Sequence, residues 1–151
     1  MSLGVESVDP ETLRRYAKGV RDDYPSRIRA IFRMITEAKI GASAFIMLGG
    51  PEDTPESLDA TLQFLTKLKA DGYLRRAVIN PFMPWWGTPF FQSPEKFGLK
   101  IERPMAQWGY QGGPVCSTRH LSLVEIVSWI NAYDDALNSD LSDDPMISVV
   151  Q

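Results

Sequence analysis

The 151-residue chain has one cysteine, Cys116, and one histidine, His120. A single thiol excludes an intrachain disulfide framework and any cluster or zinc site held by several thiolates of this sequence. A histidine-rich metal centre is excluded in the same way, and a Ser-His-Asp triad would have to be built around His120 alone. No apolar run approaches the roughly 20 residues of a membrane-spanning helix, and no charged-then-apolar leader opens the chain. The composition therefore predicts a cytoplasmic protein without membrane contact. Charge of one sign is also lacking. With 16 Lys+Arg against 19 Asp+Glu the formal net charge is −3, so no positive field argues for nucleic acid.

What remains is 44% hydrophobic, enough to bury one core. Asp9-Pro10-Glu11 is a helix start, with a capping acceptor, a proline where no N–H is missed, and an acid near the positive dipole end. This helix is expected to run to Lys18 and stop at Gly19. A second, from about Ser26 to the Lys39–Gly41 stretch, places Ile28, Ile31, Phe32 and Ile35 on one face. Ala42 to Leu48 is a short apolar run between helical patterns and reads as a buried strand. Thr54-Pro55-Glu56 starts a helix striped by Leu58, Leu62, Leu65 and Leu68. Arg76 to Phe82 reads as another strand. Strand and helix alternate, which predicts an α/β fold with parallel strands and crossover helices.

From Pro84 onward prolines and tryptophans recur and regular periods vanish, so a loop-rich stretch is expected. Order returns at Ser122-Leu123-Val124-Glu125, a capping box opening a helix with Leu123, Ile126, Val127, Ile130, Tyr133 and Leu137 at helical spacing. The expected division is a core unit over 4–91, a loop-rich linker and terminal helix over 92–138, and a flexible acidic tail over 139–151. Met1-Ser2-Leu3 reads as an added leader, because Gly4 sits inside an element. Asp22-Asp23 and Asp143-Asp144 read as solvated faces.

Three loops fall at strand ends, where parallel α/β proteins bind ligands. Gly4-Val5-Glu6-Ser7 offers a carboxylate and a hydroxyl suited to a ribose or an amino group, or is a charged capping loop. Gly49-Gly50-Pro51-Glu52-Asp53-Thr54 allows close backbone approach. It lacks the Gly-Lys-Ser/Thr ending of a phosphate cradle and carries two acids. Pro81-Phe82-Met83-Pro84-Trp85-Trp86-Gly87-Thr88-Pro89 could stack on a planar ligand or form a lid over the core. Cys116 reads as a semi-buried small hydrophobe in a loop.

In order and separation these loops, with Leu13 and Lys18, resemble the second half of radical S-adenosylmethionine (SAM) enzymes. That family shows Gly-x-Glu/Gln-Ser, then Gly-x-Pro-x-x-Thr, then Gly-Thr-Pro at successive strand ends. The resemblance covers residues 4 to 89. It implies half of a (β/α) partial barrel whose N-terminal half, in the same natural chain or another subunit, carries three strands and the Cys-x-x-x-Cys-x-x-Cys ligands of a 4Fe-4S cluster. It further implies that Glu6, Ser7, Met47 and Asn80 lie beside SAM and that Trp85, Trp86, Gly87 and Thr88 face a small-molecule substrate. No catalytic residue and no metal ligand is implied for this chain, which is expected to be inactive alone. Among branches, the methylthiotransferases, the coproporphyrinogen-oxidase-like enzymes and the cobalamin-binding enzymes share the motif order. The helical C-terminal extension favours the cobalamin-binding branch, which includes the anaerobic magnesium-protoporphyrin ester cyclases and would add cobalamin.

The sequence departs from the pattern in two places. Phe45 stands where a polar ribose-side residue is common, and Trp85-Trp86 replaces a proline, which points to a bulky substrate. A half barrel would also expose a sheet edge through which the chain could self-associate. The alternatives are a freestanding binding module on the same scaffold, or an unrelated flavodoxin-like domain, for which no phosphate or flavin loop is visible.

Overall fold

The computed structural model describes residues 1–18, 23–109 and 113–141. Gly19, Asp22, Asp143, Asp144 and most of the expected acidic tail lie outside these. A parallel sheet of β1 (Ser2–Glu6), β2 (Ser43–Leu48) and β3 (Arg76–Pro81) has its strands in sequence order. Between them run α1 (Pro10–Arg15), α2 (Tyr24–Glu37) and α3 (Pro55–Ala70). Beyond them come α4 (Pro89–Gln92), an antiparallel pair of β4 (Leu99–Ile101) and β5 (Cys116–Thr118), and α5 (Leu123–Asn138). The α/β class expected from the alternation is what is observed.

Caps fix the helix starts. Asp9 accepts from the Thr12 amide at 2.8 Å, and Thr54 and Ser122 each form reciprocal capping boxes, with Ser57 and Glu125. The ends were harder to read. α1 stops at Arg15, three residues short of the expected Lys18, because Ala17 turns left-handed (φ 54°) and the Lys18 amide returns to the Leu13 carbonyl. A left-handed Lys39 (φ 59°) ends α2 the same way.

One face of the sheet carries Val5, Ala44, Ile46, Leu48 and Ala77, all buried beneath α2, α3 and α5. The face of α2 towards them is Ile28, Phe32 and Ile35. Ile31, expected on that face, is 38% exposed, since its position is rotated off the buried stripe. α3 contributes Leu58, Leu65 and Leu68; α5 contributes Ile126, Tyr133 and Leu137. The terminal helix thus shares the principal core with the sheet, across the boundary drawn from sequence at residue 92. Burying each large side chain of this cluster contributes about 1.5–3 kcal/mol. The Tyr133 hydroxyl meets the Leu58 carbonyl at 2.6 Å, so its polar end costs little.

The strands follow sequence order in the sheet, and α2, α3 and α5 pack on the same face of it. Ser2 and Leu3 pair with Ser43 and Ala44, so β1 begins at Ser2, two residues before Gly4. A smaller cluster of Phe82, Met83, Leu99, Val115 and Cys116 closes over the strand ends. Cys116 lies on β5, buried, and not in a loop. The loop-rich reading missed the β4–β5 pair because three-residue strands carry no legible period.

Among the described residues no helix is long and apolar enough to cross a membrane.

Candidate functional site

Among the described residues, α2, α3 and α5 leave the opposite face of the sheet to other neighbours, since their buried side chains all join the core on the first face. Gly4, Phe45 and Val78 form one row across the three strands, and Met47 and Asn80 form the next. At the C-terminal ends of the strands this face opens into a cavity of about 580 Å³ lined by Gly4, Glu6, Phe45, Ile46, Met47, Asn80, Pro81, Met83 and Trp85. Residues up to 81 positions apart in sequence reach it because each strand ends in a loop turning towards the same side.

Glu6 is held by backbone strain. The β1 ladder slips by a residue between Gly4 and Glu6, and Glu6 takes a left-handed conformation (φ 62°) that a glutamate rarely adopts. Its carboxylate is thereby folded back over Gly4 and pairs with the Lys18 ammonium at 3.1 Å. A Cβ at Gly4 would stand 2.8 Å from the Glu6 carboxylate, so glycine is what lets the pair lie there. The cavity's other polar side chain is the Asn80 carboxamide, on the half-buried last turn of β3. Apolar walls come from Phe45, Met47, Met83 and Trp85. Phe45 is 37% and Trp85 45% exposed, and the two share one cavity wall.

Glu6, Met47, Asn80 and Trp85, four of the residues named from sequence, therefore meet in one cavity. The other four lie outside its lining. Ser7 is buried, its hydroxyl 3.2 Å from that of Thr61 and accepting from the Asp9 amide at 3.0 Å. Trp86 is 74% exposed and lies against Phe91, with ring centroids 5.2 Å apart. Gly87 (φ 84°) makes the turn that follows, and Thr88 caps α4 by accepting from the Phe91 amide at 3.3 Å.

The Gly49-Gly50 loop serves the fold. Both of its amides donate to Asp53, at 2.8 and 2.9 Å, and the Thr12 hydroxyl donates to the other carboxylate oxygen at 3.1 Å. These are the donors a phosphate would need, and they point inward. Asp53 is 1% exposed, and burial raises its carboxyl to about 6 against the pull of those three hydrogen bonds. Beside it the Tyr16 hydroxyl is buried with no hydrogen-bond partner among the described residues. Burial, then the charge of Asp53, raises its pKa well above the usual tyrosine value. Sequence reasoning missed this Thr12–Tyr16–Asp53 group. Its one legible signal was an aspartate four residues after the first glycine of a strand-end loop.

Cys116 is 1% exposed and burial pushes its thiol up to about 12, so it neither ionises nor reaches the cavity. Among the described residues no three His, Cys, Asp or Glu side chains are grouped to hold a metal ion. A second cavity of about 460 Å³ lies at the other end of β3, lined in part by Arg76, Asp134, Asp135 and Asn138. It is separate from the strand-end loops.

The chain matches no protein-family model, and no curated protein matches it.

Proposed function

We propose that this chain is the cofactor-positioning half of a radical SAM enzyme barrel in the cytoplasm, inactive without a partner half that holds the 4Fe-4S cluster. The observation that carries the reading is the convergence of Glu6, Met47, Asn80 and Trp85, from three strand ends, on one cavity of the opposite sheet face. Such a cavity, apolar with a few convergent polar groups, suits a small molecule with a planar base. Met47 and Phe45 would flank the adenine of SAM. The Asn80 carboxamide can give and accept one hydrogen bond along its edge. Glu6 would reach the ribose or the amino group, charge-assisted if it meets the latter. Trp85, at the mouth, would lie between this ligand and the substrate, and Trp86-Gly87-Thr88 would shape the substrate side. Cobalamin belongs to the same reading through the branch with a helical C-terminal extension.

The cluster, when bound, supplies the electron that cleaves SAM. Its thiolates come from outside this chain, since Cys116 is buried and protonated. The test has two arms. Anaerobic reconstitution of the chain with iron and sulfide should give no stoichiometric cluster and no 5′-deoxyadenosine; finding both refutes the half-enzyme reading. Titration with S-adenosylhomocysteine, followed by NMR, should shift signals of Met47, Asn80 and Trp85 and weaken in Asn80→Ala. Shifts confined to other faces would refute the cavity assignment.

That face, with its exposed Phe45 and Trp85, also fits a freestanding binding module on the same scaffold. S-adenosylhomocysteine binding in the absence of any partner half that restores turnover would favour that reading.

A further inference from the structure

At six residues, α1 falls far short of the roughly 12–15 at which a helix begins to stand alone in water, so its place depends on what it touches. Thr12 and Leu13 are its buried side chains, while Arg14 and Arg15 lie in solvent. Three contacts fasten it to the loop between β2 and α3. The Thr12 hydroxyl donates to Asp53 at 3.1 Å, Arg15 pairs with Glu52, and the Tyr16 hydroxyl stands where a Cβ on Gly50 would be. The Tyr16 ring also stacks on Phe82, with centroids 6.0 Å apart. Two residues on, the Lys18 ammonium holds Glu6 at the strand-end cavity.

Asp53 is the centre of this attachment. Its carboxylate takes the Gly49, Gly50 and Thr12 donors, and among the described residues no cation pairs with it. The groups that face it give the charge no relief. Asp9, at the start of α1, has the same sign, and burial keeps Tyr16 and, from α5, Tyr133 neutral. Around Tyr16, Glu52 is paired with Arg15, Glu6 is paired with Lys18, and burial keeps the Cys116 thiol of β5 neutral. Once protonated, Asp53 is a donor as well as an acceptor. The Tyr16 hydroxyl beside it, buried and without a partner among the described residues, can then accept.

We propose that Asp53 is a proton-operated latch on α1: with its proton on, it clasps Thr12 and Tyr16 to the β2–α3 loop, and with its proton off, α1 opens more often and loosens the Lys18–Glu6 pair. Opening lets water reach the carboxyl and returns it from about 6 towards 3.8, so the closed form binds the proton more tightly. The open population is therefore lowest below pH 3.8, grows as pH climbs to about 6, and is level beyond. About two units correspond to a growth of up to about 100-fold. Glu6 is thus fixed in an acid medium and freed in a neutral one. This inference rests on the contacts of α1 and is independent of the cofactor reading.

Native-state hydrogen exchange of the full chain reads the latch at the Leu13, Tyr16 and Lys18 amides, which donate to the carbonyls of Asp9, Thr12 and Leu13. These amides should exchange faster than that of Ile46 in the buried sheet, and their protection factors should hardly change with sub-denaturing urea, the mark of a local opening. Between pH 4 and pH 8 the factors should fall by up to about 100-fold in the wild type and stay level in Asp53→Asn. A carboxyl ¹³C titration of Asp53 should have its midpoint at about 6. Exchange of α1 with the same urea slope as Ile46 overturns the proposal, because the opening is then global. So do wild-type protection factors equal at pH 4 and pH 8, an equal fall in Asp53→Asn, or a carboxyl midpoint at about 4. Should Asp53→Asn not fold, the wild-type exchange profile and the ¹³C midpoint decide between these outcomes.

Discussion

Replacing Asp53 by asparagine should flatten the acid side of the stability profile and leave the fold in place. The wild-type carboxyl is raised from 3.8 in the unfolded chain to about 6 in the folded one. An acid whose pKa rises on folding is bound to its proton more tightly in the native state. Its contribution is therefore most favourable below pH 3.8 and is lost as pH climbs through about 6. About two units correspond to about 3 kcal/mol, carried as a penalty at neutral pH. Asparagine stands in for the protonated acid. Its carbonyl oxygen can take the Gly49 and Gly50 amides, and its NH₂ can donate to the Thr12 hydroxyl, which reverses its role. Urea titrations of both proteins from pH 4 to 8 isolate Asp53, because every other carboxylate cancels in the difference. The asparagine variant should gain on the wild type by up to about 3 kcal/mol as pH rises across that window. Asp53→Ala should instead lose several kcal/mol at every pH, since it strands three buried donors at about 1–3 kcal/mol each. A difference between Asp53→Asn and wild type that is constant with pH would refute the reasoning.

Other outcomes follow from the same packing. Gly50→Ala places a Cβ 1.8 Å from the Tyr16 hydroxyl, so it should destabilise by about 2–4 kcal/mol. The companion Tyr16→Phe, neutral or stabilising by about 1 kcal/mol alone, should recover part of that loss in a double-mutant cycle read by chemical denaturation. Asn138→Ala uncovers the amide and carbonyl of Ala77 and should cost about 1–3 kcal/mol, with hydrogen exchange at Ala77 accelerating more than at Ile46. Cys116 should resist a thiol reagent in the native protein and react at once in denaturant, since burial and its raised pKa both protect it. Modification at native rates equal to those of a free thiol would contradict the closed small cluster around it.

Much of this was legible because local chemistry and tertiary context agree. Thr54-Pro55 and Ser122-Leu123-Val124-Glu125 begin helices wherever they are placed, since the capping partners lie within three residues. Ala42 to Leu48 reads as a strand from its length and its neighbours. The end of α1 was not legible. Ala17 has no preference for the left-handed turn that stops it, and nothing in its neighbourhood marks the return of the Lys18 amide to the Leu13 carbonyl. Ile31 was assigned to the core because a three-or-four spacing admits two adjacent faces, and only the position of α3 selects between them. At the site, the strand-end residues were named by pattern, but pattern does not say which way a loop residue turns. Ser7 and Thr88 are spent on local turns and caps, the ordinary use of short hydroxyl side chains. The charge of Asp53 hid its role, for a buried acid is recognised from its three donors, and these come from two distant segments.

Asn138 ends a helix and a sheet at once. A sheet with two receptive edges is a monomer unit for a fibre, because each docking event leaves a fresh edge exposed and growth need not stop. A strand offered to the β3 edge would find the amide and carbonyl of Ala77 already taken by the Asn138 carboxamide, so the helix end blocks that position of the ladder.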